Sequence, residues 1–112
     1  MTEIVTEVMV LPEGMDIDDD ARSVFAVFVR WRGPRGDTGR GGYAVMHTND
    51  HLSKRGDWRD NPEPFLQRHY RWETLEEALA AARKVVNTVR MMGMTFPEWQ
   101  ARHLARIAEA ES

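Results

Sequence analysis

The chain has 112 residues, 42% of them apolar and 29% charged, with a net charge of −3; this is the balance of one folded domain around one core and excludes a disordered or fibrous chain. It contains no cysteine, which excludes a disulfide framework, thiolate chemistry and any zinc site built on sulfur. No apolar run approaches a membrane span, and Glu3 and Glu7 stand where a signal peptide would carry basic residues, so the sequence predicts a cytoplasmic protein without membrane contact.

The β-branched stretch Ile4-Val5-Thr6-Glu7-Val8-Met9-Val10 stops at Pro12 and Gly14 and predicts a first strand over 4–10. An acidic connector over 12–21 follows. The strongest apolar run, beginning at Val24 and ending in Arg30 and Trp31, predicts a central strand over 24–31. From Gly33 to Gly42 the sequence has the backbone freedom of a loop and little to bury. Tyr43 onward predicts a strand over 43–48, so this loop joins an antiparallel pair. A second polar stretch over 49–63 leads into 65–72, where Leu66, Tyr70 and Trp72 alternate with Gln67, His69 and Arg71 as in a fourth strand. Flexible loops are thus predicted over 12–21, 33–42 and 49–63.

The last third predicts two helices. Thr74 and Glu77 form a capping box, and Leu75, Ala78, Leu79, Ala82, Val85, Val86 and Val89 recur at helical spacing, giving a helix over 75–92 that Gly93 ends. Thr95 and Glu98 repeat the capping box, with Pro97 tolerated in the first turn, and Phe96, Trp99, His103, Leu104 and Ile107 mark a buried stripe on a helix over 96–110. The fold class expected is α+β: an antiparallel sheet of three or four strands packed by two C-terminal helices.

The charge is unevenly placed. Residues 1–21 hold seven acidic and no basic residues, whereas 22–72 hold ten basic and five acidic. Either the acidic N-terminal part neutralises the basic block in the fold, or the block is a surface for a partner. Arg30, Trp31, Arg32, Arg35 and Arg40 precede Lys54, Arg55, Trp58 and Arg59, and this interleaving of Arg with Trp suits both protein interfaces and single-stranded nucleic acid. A pI near 5.8 weighs against a dedicated nucleic-acid binder.

Other motifs are incomplete. Gly33–Gly42 lacks the Gly-Lys-Ser/Thr ending of a phosphate loop, and Arg35-Gly36-Asp37 within it reads as a solubilising charge pair. Asp16, Asp18 and Asp20 have the opening spacing of a calcium loop, but Ala21 and Val27 stand where its glycine and closing glutamate belong. His47 and His51 are four apart at a strand end and turn, where their side chains need not converge. Asp50-His51-Leu52 with Asn61 and His69 resembles in outline the HNH nucleases, although the spacings are short and His69 falls in a predicted strand.

The strand hairpin, the Lys/Arg-Gly-Asp-Trp stretch, the aromatic strand and the Thr-Leu-Glu-Glu-Ala helix, spanning Ser23 to Val89, resemble in style small proteins of actinobacterial phages and other GC-rich genomes. That resemblance implies an accessory protein acting on a host component and carries no site residue with it. The sequence therefore predicts a non-enzymatic protein-binding module using the loops at 33–42 and 49–63, with no cofactor and no metal; a nucleic-acid-binding accessory protein is the alternative.

Overall fold

The computed structural model describes residues 3–19, 21–34, 36 and 40–111. Arg35 and Asp37 of the glycine-rich loop and Asp20 of the acidic connector lie outside the described residues. The fold is α+β: five antiparallel strands in sequential order, with helices packed on one face.

Strand β1 (Glu7–Val10) pairs with β2 (Val27–Trp31), which pairs with β3 (Tyr43–His47). Two three-residue strands, β4 (Asp50–Leu52) and β5 (Trp58–Asp60), complete the meander. The predicted loop over 49–63 is thus largely a hairpin. Its strands are too short and too polar to show a hydrophobic alternation, which is why the sequence pattern misses them. The turn between them is tied by the Ser53 hydroxyl, which accepts from the backbone N–H of Arg55 at 3.2 Å and of Asp57 at 3.0 Å.

The apolar run at 24–31 divides in two. Arg22–Phe25 forms the short helix α1, and the chain turns extended at Ala26 before β2 begins. Short apolar runs satisfy helix and strand equally well, and here the acidic turn decides: the Asp19 carboxylate accepts from the N–H of Ala21, and the Asp19 carbonyl from that of Arg22. The predicted strand at 65–72 is a 3₁₀-helix over Pro64–Tyr70, with only the tail extended. Proline at its first position is pre-set for helical φ. Trp72 then pairs with Tyr43 through two backbone hydrogen bonds of 2.8 and 2.9 Å, prolonging the sheet beyond β4.

Helix α2 (Leu75–Val85) begins on the predicted capping box: Glu77 N–H donates to the Thr74 hydroxyl at 3.2 Å, and that hydroxyl donates to the Glu77 carboxylate at 2.9 Å. It ends earlier than predicted, in a short 3₁₀ turn over Val86–Thr88. Cross-strand partners share a face of a sheet, so the register puts Val27, Val29, Val45 and Leu52 on one side, and these pack against Ala78 and Ala82 of α2 and Val86 of the 3₁₀ turn after it. Phe25 and Phe96 close one end of this core edge to face, with centroids 5.7 Å apart.

Helix α3 (Phe96–Glu111) starts in the core and leaves it. Phe96 is 2% exposed, yet residues 101–111 are exposed throughout. The predicted buried stripe is buried only at its first turn. The radius of gyration is 16.3 Å, against about 13 Å for a compact chain of this length, and the longest extent is 62 Å.

Candidate functional site

Among the described residues, no helix packs extensively on the face of the sheet opposite α2. By the register, Glu7, Arg30, Ala44, Phe28, Met46, His51 and Arg59 share it. Arg30 lies flat on this surface: its Nε donates to the Glu7 carboxylate at 2.8 Å, its Nη1 is 3.8 Å from the Met46 sulfur, and its guanidinium sits 5.0 Å above the Phe28 ring. Arg32, just past the end of β2, is exposed and makes no ion pair among the described residues.

Arg71 enters the same face from the edge. Because Trp72 is paired with Tyr43, Arg71 falls beside Ala44, and it is only 1% exposed. A buried guanidinium needs acceptors, and without a carboxylate it takes neutral ones. Its Nε donates to the Arg40 carbonyl at 3.0 Å and its Nη1 to the Tyr70 carbonyl at 3.0 Å, while Nη1 also lies 3.3 Å from Nδ1 of the buried His51. Arginine can only donate, so His51 Nδ1 is the acceptor and the imidazole is neutral. Burial first, then the nearby Arg71 and Arg32, lower the His51 pKa to about 4. Burial and Arg32 bring Arg71 down to about 10, which leaves it charged at neutral pH.

The nine residues picked from the sequence do not form one surface. Arg30, Arg32 and Arg59 stand on the open face, the last 3.4 Å from Glu63. Trp31, paired with Tyr43, is on the opposite face and partly buried. Arg35 lies outside the described residues. Arg40 is exposed, and its carbonyl is what anchors Arg71. Lys54 and Arg55 are exposed in the β4–β5 turn. Trp58 is no free stacking platform: it packs on the core and meets His47 edge to face at 5.9 Å.

His47 and His51 are on opposite faces, which the odd-even alternation around the intervening turn dictates. His47 Nε2 is 2.6 Å from the Val24 carbonyl, an acceptor, so that nitrogen carries the proton. Among the described residues no three His, Asp or Glu side chains converge as metal ligands, and no helix is long and apolar enough to cross a membrane. Among the described residues, the acidic N-terminal part does not lie over the basic block as a unit. Glu7 pairs with Arg30, whereas Glu13 donates its N–H to the Asn87 side chain in the 3₁₀ turn after α2, and Asp19 folds onto α1.

The projecting α3 forms the other distinctive surface. Trp99 stacks on His103 with centroids 5.1 Å apart and planes 6° from parallel, making a ridge between two grooves. On one side Ala21 and Val24 of the α1 segment face Leu104 across a groove of about 430 Å³ with Asp19 at its rim. On the other, Met92 and Met94 lie beside Arg102 and Arg106 around about 240 Å³. Leu104 is 58% and Ile107 42% exposed. Spacing along the sequence predicts that these residues share a face; it carries no signal that the body ends beneath them.

No protein-family model, curated protein or solved structure matches the chain.

Proposed function

We propose that this protein is a small non-enzymatic protein-binding module, of the accessory kind that inhibits or modulates a host component, and that the α3 ridge with its flanking grooves is the docking surface. The observation carrying this reading is the exposure of Leu104 and Ile107 on the helix face that buries Phe96 one end earlier. A contiguous apolar helix face that finds no partner in its own chain is what protein interfaces use, with aromatic and methionine anchors at the centre and a charged rim. The charge supports a protein over a polyanion, since one groove has the acidic Asp19 at its rim and the other Arg102 and Arg106.

The test compares affinity capture from native cells by the wild type, by Leu104→Gln/Ile107→Gln and by Arg30→Ala/Arg32→Ala, each after nuclease treatment. The account expects a stoichiometric protein partner held by the wild type and the arginine variant and lost from the helix variant. Retention by the helix variant would sink it. Nucleic-acid binding keeps one observation in its favour, the Arg30, Phe28 and Arg32 surface on the open sheet face. Steeply salt-dependent binding of single-stranded oligonucleotide, lost in the arginine variant, is its signature.

A further inference from the structure

We propose a separate binding site for a small phosphomonoester in the pocket between the β4–β5 hairpin and the 3₁₀-helix Pro64–Tyr70. The cavity is about 310 Å³, at the lower end of small-ligand pockets and too small for a macromolecular surface. Three cations line it: Lys54 and Arg55 come from the turn and Arg59 from β5, with the His69 ring beside them from the 3₁₀-helix. Lys54 and Arg55 make no ion pair among the described residues. Arg59 is shared with Glu63 at 3.4 Å, with both groups about half exposed, so that contact is weak and exchangeable.

Two buried hydroxyls point to a ligand independently of the charge. Tyr70 and Ser53 are each 8% exposed and both line the cavity. The Tyr70 phenol makes no hydrogen bond among the described residues. The Ser53 oxygen already accepts two backbone N–H groups, and its own proton has no acceptor among the described residues. Buried polar groups are almost always paired, and donors left over beside a cavity mark where an acceptor belongs. Next in sequence to Tyr70, the charged Arg71 donates to the Tyr70 carbonyl and has no carboxylate partner among the described residues. The positive potential of this wall favours a dianion.

A phosphate group satisfies both sets of donors, accepting from the two hydroxyls while facing the cations. Asp57, also on the lining, repels a bare anion but accepts from a hydroxyl group of the ligand. The fitting class is therefore a phosphomonoester carrying hydroxyl groups, free or as part of a nucleotide.

Amide chemical-shift titration of the full chain with inorganic phosphate, ribose 5-phosphate and AMP tests this. Saturable shifts centred on residues 53–57 and 69–70 are expected, with ribose 5-phosphate tighter than phosphate and a Kd of about 0.1–1 mM; a further gain with AMP identifies the nucleotide as the source, and no gain the free sugar phosphate. Lys54→Ala/Arg55→Ala and Tyr70→Phe each weaken binding roughly tenfold. Glu63→Gln, which frees Arg59, strengthens it about twofold to fivefold. Thermal midpoints of all variants are followed so that misfolding is seen directly. Absence of saturable shifts in the folded wild type, or equal affinity in the Lys54/Arg55 and Tyr70 variants, overturns the proposal.

Discussion

His51 and Gly41 are the residues on which local physics presses hardest. The folded-state pKa of His51, about 4, lies below the 6.5 of an unconstrained imidazole, so between these values the unfolded chain binds the extra proton and folding stability falls as the pH drops. Stability is complete above pH 6.5, and the loss reaches about 3 kcal/mol near pH 4 at most. Denaturant titrations between pH 7 and 4 should show this slope in the wild type and a much flatter one in His51→Gln, whose amide still accepts from Arg71. At Gly41 an added Cβ would collide with the Pro34 carbonyl. Backbone there closes the loop, with Gly42 N–H donating to the Gly33 carbonyl at 2.7 Å and Arg32 N–H to the Gly42 carbonyl at 2.7 Å. Gly41→Ala is expected to cost about 1–3 kcal/mol by forcing that base apart, read as a lower denaturation midpoint and faster proteolysis within 33–42. Neither residue announces its role in the sequence. Gly41 is one of several glycines in its loop, and the partner of His51, Arg71, is twenty residues away and reads there as the polar side of an alternating strand.

Among the elements, the two C-terminal helices are the most legible in the sequence and the region from 49 to 72 the least. Thr74 and Glu77 define a start through local hydrogen bonds alone, so the start of α2 follows from four residues. β4 and β5 exist because β3 offers them an edge and Ser53 ties their turn, which is a tertiary circumstance that three polar residues cannot encode alone. The stripe on α3 is one face of the helix, as its spacing predicts, but beyond its first turn it is largely exposed. Periodicity reports which side chains align and is silent on whether a neighbour waits for them. Phe96→Ala should accordingly cost about 3–5 kcal/mol, while Leu104→Gln/Ile107→Gln should stay within about 0.5 kcal/mol of the wild type. Equal penalties in urea denaturation would show that α3 is packed along its length.

At the scale of the whole molecule, a compact sheet and α2 body holds out a helix of about 24 Å whose outer residues gain nothing from the fold that carries them. Only part of this division of labour was legible. The basic block drew attention to the loops, whereas the structure disperses it over two sheet faces, a turn and a small cavity, and places the apolar surface on the opposite kind of element. The account rests on a protein partner covering α3, and site-specific photocrosslinking in native cells reads that contact directly. A benzophenone side chain at Ile107 should yield one discrete protein adduct that the same group at Ala105, across the helix, does not. Equal labelling from both positions, no adduct at all, or an adduct only with a second copy of this chain would contradict it.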